Sequence, residues 1–169
     1  MKKIICLILA FTMAAYFTAC GGSDSDIGGN PSGPTDPGYT FKYKDTTITM
    51  NVDAAPIIAA LGQPKSYTEE ASCAFSGLDK TYYYGSFYLQ TYPQDNKDYI
   101  YSIWFADDGV STEEGVYIGM AKADVEKAYG AASFNGSNAY ILTKGACKLT
   151  VIITDGVVSS VQYDAVFSE

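Results

Sequence analysis

The side chains able to do chemistry in this 169-residue chain are few in kind. There are carboxylates, lysines, hydroxyls and four cysteines, and histidine and arginine are absent throughout. Without imidazole there is no base for a Ser or Cys nucleophile, no mixed Cys/His zinc site and no charge switch near neutral pH. Ser76, set before Gly77, therefore has no activating partner of that kind. Without guanidinium there is no bidentate clamp for phosphate or carboxylate. Acids do cluster, at Asp107-Asp108-Gly109, at Glu113-Glu114 and at Asp95-Asn96 with Asp98. Their spacing does not match an EF-hand, so solvated loop charge competes with a calcium reading. Gly109 and Gly115 are followed by no Lys-Ser or Lys-Thr of a phosphate loop. No catalytic residue, metal ligand or cofactor site is expected. A carboxylate-dependent hydrolase is the reading left for catalysis, and no paired Asp or Glu constellation can be located for it.

Aromatics are the other conspicuous group, with 15 Tyr, 8 Phe and one Trp. Strand alternation assigns their faces. Cys147, Leu149, Val151 and Ile153 form one apolar row, with Lys148, Thr150 and Ile152 opposite. The same alternation places Phe87, Leu89, Ile103 and Phe105 in the core. Tyr88, Gln90, Tyr92, Ile100 and Trp104 then lie on the other face, with Tyr83 from the preceding strand. Tyr83, Tyr88, Tyr92, Ile100 and Trp104 are the candidate binding residues, because rigid rings with polar tips give large contact area at low entropic cost. Cross-strand packing of the rings on one another is the competing reading.

The elements that must carry this face begin after an unusual N-terminus. Lys2 and Lys3 precede an apolar run from Ile4 to Phe17, too short to span a bilayer but of signal-peptide length. It closes on Phe17-Thr18-Ala19-Cys20 and then Gly21-Gly22-Ser23, which resembles the lipobox of bacterial lipoproteins, with Phe17 where Leu is usual. The resemblance implies cleavage after residue 19 and acylation of Cys20, a membrane anchor on the extracytoplasmic face. Residues 21–38 are almost wholly Gly, Ser, Asp and Pro and read as a disordered tether. The formal charge of −8 becomes −10 once Lys2 and Lys3 leave with the signal, which opposes nucleic-acid binding. Cys6 leaves too, so Cys73 and Cys147 remain as a possible disulfide or as two buried thiols.

The ordered part reads as an α+β fold of two tandem repeats, each a short helix followed by an antiparallel β-meander. Asp53 is an expected N-cap, Gly62 and Gly130 close the helices, and Asp155-Gly156 makes a hairpin turn where the first repeat has a longer loop from Pro93 to Asp98. The segment IGMAKADVEKAYG and the later DGVVSSVQY resemble the beta-lactamase inhibitor protein and lipoproteins of the BamE/SmpA type. Ala121 departs from that pattern, standing where a capping Ser or Thr is usual. The expected boundaries are 1–19 for the signal, 20–38 for the lipidated Cys and tether, 39–110 for the first repeat and 111–169 for the second. The expected function is a lipid-anchored, non-catalytic module that binds an envelope protein or assists envelope assembly through its aromatic sheet face. Binding of cell-wall glycan or peptide is the alternative.

Overall fold

In the computed structural model the described residues are 36–134 and 138–167. The signal segment, Cys6, Cys20 and all but the last three residues of the expected tether lie outside them. The chain forms a hairpin of β1 (Phe41–Tyr43) and β2 (Thr46–Ile48), then α1 (Ala54–Leu61) and the strands β3 (Ser66–Ala71), β4 (Leu78–Tyr83), β5 (Phe87–Gln94) and β6 (Lys97–Phe105). After a long connection come α2 (Lys122–Tyr129), a 3-10 turn (Ala131–Ser133), β7 (Ala139–Lys144), β8 (Cys147–Thr154) and β9 (Val157–Ala165).

This arrangement overturns the expected fold class. Strand takes 48% of the structure and helix 14%. The strands do not divide into two helix-plus-meander units. They join in one antiparallel sheet of seven, ordered β3-β4-β5-β6-β9-β8-β7. The physical reason is the β6–β9 pairing, Ser102 with Asp164, Ile103 with Tyr163 and Trp104 with Gln162, which makes a single ladder of strands from both halves of the chain. One core is then shared by both halves, and Phe41 of β1 packs against Phe87 and Phe105 and also against Tyr163.

Local signals for the helices hold. Asp53 accepts a hydrogen bond from the Ala55 N–H at 3.0 Å, and the Gly62 and Gly130 N–H groups donate back to Ile58 and Glu126. Ala121 caps α2 with no side-chain hydrogen bond, and a lysine–carboxylate pair at Lys127 and Asp124 lies along that helix. Both helices lie on one face of the sheet, where Ile57, Ile58, Leu61, Val125 and Ala128 meet Phe87, Leu89, Ile103, Leu149 and Val151. The Tyr129 hydroxyl lies 2.8 Å from Thr112 Oγ1 and donates to Glu114 at 2.7 Å, which fixes α2 to the connection before it.

Two local corrections matter for the site. The expected loop from Pro93 to Asp98 is strand: Pro93 pairs with Asp98 and Gln94 with Lys97 around a two-residue turn at Asp95-Asn96, both at positive φ as a type I′ turn requires. Within the same hairpin, Gln90 pairs with Ser102 but Thr91 pairs with Ile100, so Tyr101 is an extra, bulged residue. An equivalent shift leaves Ser159 unpaired between Ile152–Ser160 and Ile153–Val158.

Residues 36–38 lie against the turn between β7 and β8. A Cβ on Gly38 would run into the Lys144 carbonyl, and one on Gly145 into the Asp36 carbonyl, with φ of 78° and 53° at the two glycines.

Candidate functional site

No described helix or strand covers the sheet face opposite the helices, although Phe75 and Phe167 lie over its β5–β6 end at Tyr92, and register sets its pattern. Following the cross-strand partners gives one row of Ser66, Tyr83, Tyr88, Trp104, Gln162, Thr150 and Ile141. Two residues along each strand, or about 6.6 Å, lies a second row, Thr68, Thr81, Gln90, Ser102, Asp164, Lys148 and Thr143. The first row is aromatic at its centre and the second is polar from end to end.

Of the five expected binding residues the structure unites three. Tyr83 and Tyr88 stack with centroids 4.5 Å apart at 25°, and Tyr88 and Trp104 at 5.1 Å and 12°, a continuous ladder over β4, β5 and β6. All three are half-buried, and no hydrogen bond from their polar tips to the described residues is present. The ring faces are turned to one another, so the ladder presents edges, two hydroxyls and the indole N–H.

The other two are corrections. Ile100 is fully buried, because the bulge at Tyr101 shifts parity and turns Ile100 to the core with Ile103 and Phe105. Tyr92 keeps the outer face but is 5% exposed: Phe75 and Phe167 cover it, with Tyr99 stacked beside it. Its hydroxyl donates to Asn51 Oδ1 at 3.1 Å, and Asn51 in turn donates to the Val166 carbonyl. This second aromatic group, completed by Tyr101 stacked on Phe167, was missed from sequence. Strict alternation hides it, although the three-residue step from Ile100 to Ile103 breaks the period of two and marks the bulge.

The polar row was also missed, since it depends on which strands are neighbours. Asp164 is its hub: Ser102 Oγ and Gln162 Nε2 donate to Oδ1 at 3.0 and 2.7 Å, and Lys148 Nζ lies 3.3 Å from Oδ2. Ser102 Oγ is also within 2.9 Å of the Tyr163 carbonyl. With Asp164 held by three partners, the Ser102–Asp164–Lys148 stretch of the row is a satisfied polar network.

Of the two readings left open for Cys73 and Cys147, a disulfide is not formed, and only Cys147 is a buried thiol. Both thiols are free, Cys73 exposed beyond β3 and Cys147 buried on β8. Five strand spacings separate those strands, roughly 24 Å, against a Cα separation under about 7 Å needed for a disulfide. Burial pushes the Cys147 thiol up to about 12.

The acidic clusters have local structural roles. Asp107 accepts from the Gly109 N–H, and that bond, with the Ser86 hydroxyl, holds its carboxyl below the usual range. Asp98 binds Lys80 at 2.7 Å, and Asp53 binds Lys97 at 2.9 Å, the contact that chiefly lowers the Asp53 pKa. A hollow of about 300 Å³ at the β5–β6 tip is lined by both lysines, each thus already paired. Among the described residues no group of three or more His, Cys, Asp or Glu is placed to hold a metal.

No protein-family model matches this chain, and no curated protein matches it. Among solved structures it is similar to an extracellular protein containing an SCP domain from Bacillus anthracis. The identity is 15% and the TM-score 0.40, over 73% of this chain and 49% of that one, so this chain spans about half the neighbour's length. A likeness at that level assigns neither fold family nor function.

Proposed function

We propose that this chain is a non-catalytic binding module, held on the extracytoplasmic face of a membrane by lipid on Cys20, which engages a protein partner through its open sheet face. The observation that carries the reading is the Tyr83–Tyr88–Trp104 ladder on the face that no described helix or strand covers. A half-buried row of rings flanked by a polar row matches the make-up of protein interfaces, in which aromatic anchors supply area and a polar surround supplies hydrogen bonds. The stacking also favours a protein over a glycan. Sugar rings stack on open aromatic faces, whereas here the faces between neighbours are occupied and the edges point outward.

Cross-linking in native membranes, followed by recovery of the chain, compares the wild type with a Tyr88→Ala, Trp104→Ala double variant whose unfolding midpoint is checked in parallel. At least a tenfold drop in partner recovery is expected, with no competition from soluble cell-wall saccharide. Equal recovery from both chains would sink the proposal. The anchor is tested separately, since Cys20→Ser should move the protein from the membrane to the soluble fraction.

A further inference from the structure

The sheet has two edges, and the chain treats them differently. The β7 edge is partly closed: Phe134 forms a bridge with Tyr140, and the strand ends in Lys144. The β3 edge is open. All six of its residues are exposed, it pairs with β4 without a bulge, and it carries neither proline nor lysine. Proline, lysine and bulges usually blunt natural edges; here the only charges are Glu69 and Glu70, so the edge repels an acidic strand and remains a template for one of opposite charge.

Its backbone has a defined polarity. Ser72 N–H donates to the Gly77 carbonyl, and by antiparallel alternation Thr68 and Glu70 exchange bonds with β4. The N–H and C=O groups of Tyr67, Glu69 and Ala71 therefore point away from the sheet. Charge at this edge is also one-sided. Glu69 lies across from Lys80, but that ammonium sits on Asp98 at 2.7 Å. Glu70 lies across from Asp79, a like charge. Neither glutamate has an ion pair among the described residues, although Glu69 accepts from the Tyr67 hydroxyl at 2.6 Å.

We infer that β3 is a docking edge to which an extended, lysine- or arginine-bearing segment of a partner protein adds as an eighth strand. The backbone of Tyr67, Glu69 and Ala71 supplies the ladder, and Glu69 and Glu70 select the charge. A second copy of the chain fits less well, because self-pairing gathers both copies' Glu69 and Glu70 on one short ladder. This inference stands apart from the aromatic face, since it rests on backbone groups at the sheet edge.

The test uses the full chain in detergent micelles and a nine-residue capped peptide of alternating Lys-Lys and Val-Val pairs, which puts lysine on both faces of the added strand, since Glu69 and Glu70 lie on opposite faces. Two control peptides accompany it, one with Glu replacing Lys and one N-methylated at every second residue. Amide hydrogen exchange should slow at residues 66–71 with the first peptide, and both controls should bind at least tenfold more weakly. The double variant Glu69→Lys, Glu70→Lys should lose binding to a similar extent, with its thermal midpoint and Trp104 fluorescence showing that it is folded. Protection outside β3, equal binding by the N-methylated peptide, or insensitivity to the charge reversal would each overturn the inference. So would a peptide-independent dimer with β3 protected, seen by sedimentation.

Discussion

Deleting Tyr101 is the sharpest test of how the binding face is built. As the bulged residue it stands outside the ladder, so its removal leaves the Gln90–Ser102 and Thr91–Ile100 pairs adjacent and restores regular alternation. Ile100 stays in the core and Trp104 stays beside Tyr88. The loss is then the packing of one side chain that is 36% exposed, with its contacts to Tyr92 and Phe167. Two thirds of a ~200 Å² ring at about 25 cal/mol/Å² sets an upper bound of ~3 kcal/mol. Deleting Leu89 is the control, because β5 has no spare residue and is paired on both sides. That deletion removes a fully buried leucine, worth ~2–5 kcal/mol. It also forces a one-residue slip that turns neighbours such as Phe87 outward, at ~1.5–3 kcal/mol each. The sum reaches the whole stability of an ordinary domain, roughly 5–15 kcal/mol. Urea unfolding followed by Trp104 fluorescence should therefore find the Tyr101 deletion folded and the Leu89 deletion unfolded. Comparable losses in the two would refute the bulge and the face assignment resting on it.

Other predictions follow from the core and the turns. Iodoacetamide at neutral pH should label Cys73 quickly and leave Cys147 untouched until denaturant is added, read by peptide mass mapping; equal rates would contradict the burial of Cys147. Because burial raises the Cys147 thiol to about 12 from 9.0, and raises Tyr129 and Tyr163 above 10.0, the unfolded chain ionises first as pH climbs. The Cys147 part of the stability is complete below pH ~9 and is lost between ~9 and ~12, while the tyrosine part begins to fall only above pH ~10, so urea midpoints should fall from pH ~9 upward and Cys147→Ala should flatten the early part of the fall. Thr112→Val should cost ~1–3 kcal/mol in thermal or urea unfolding, since it strips the Val116 N–H of a buried acceptor and leaves the Tyr129 hydroxyl with Glu114 alone; a neutral result would mean the Val116 N–H finds another partner. Gly145→Ala should destabilise by at least ~1–3 kcal/mol, because its methyl group meets the Asp36 carbonyl, whereas Gly156→Ala at a turn with open space should cost less.

Much of the local structure was legible in the sequence. Asp53, Gly62 and Gly130 mark helix ends through chemistry contained in a few adjacent residues, and the row from Cys147 to Ile153 follows from alternation alone. Strand neighbourhood was not legible. The β6–β9 pairing is a contact between residues some sixty positions apart, and it decides that there is one sheet and one core. The candidate site divides in the same way. Tyr83, Tyr88 and Trp104 could be placed because their strands are regular between them. Ile100 and Tyr92 could not, because a bulge changes parity on one side of it. The signature was present: buried residues three apart, Ile100 to Ile103 and Val158 to Val161, occur in both strands that carry a bulge.

The close contact of residues 36–38 with the β7–β8 turn has a mechanical consequence. A pull applied at residue 36 meets a backbone clasp too tight for a side chain, and three residues after Gly38 it reaches Phe41, wedged among Phe87, Phe105 and Tyr163. Tension would thus be borne by a buried ring. To release it, force must draw Phe41 out of the core, and the strands that carry the outer face would stay in register until it did.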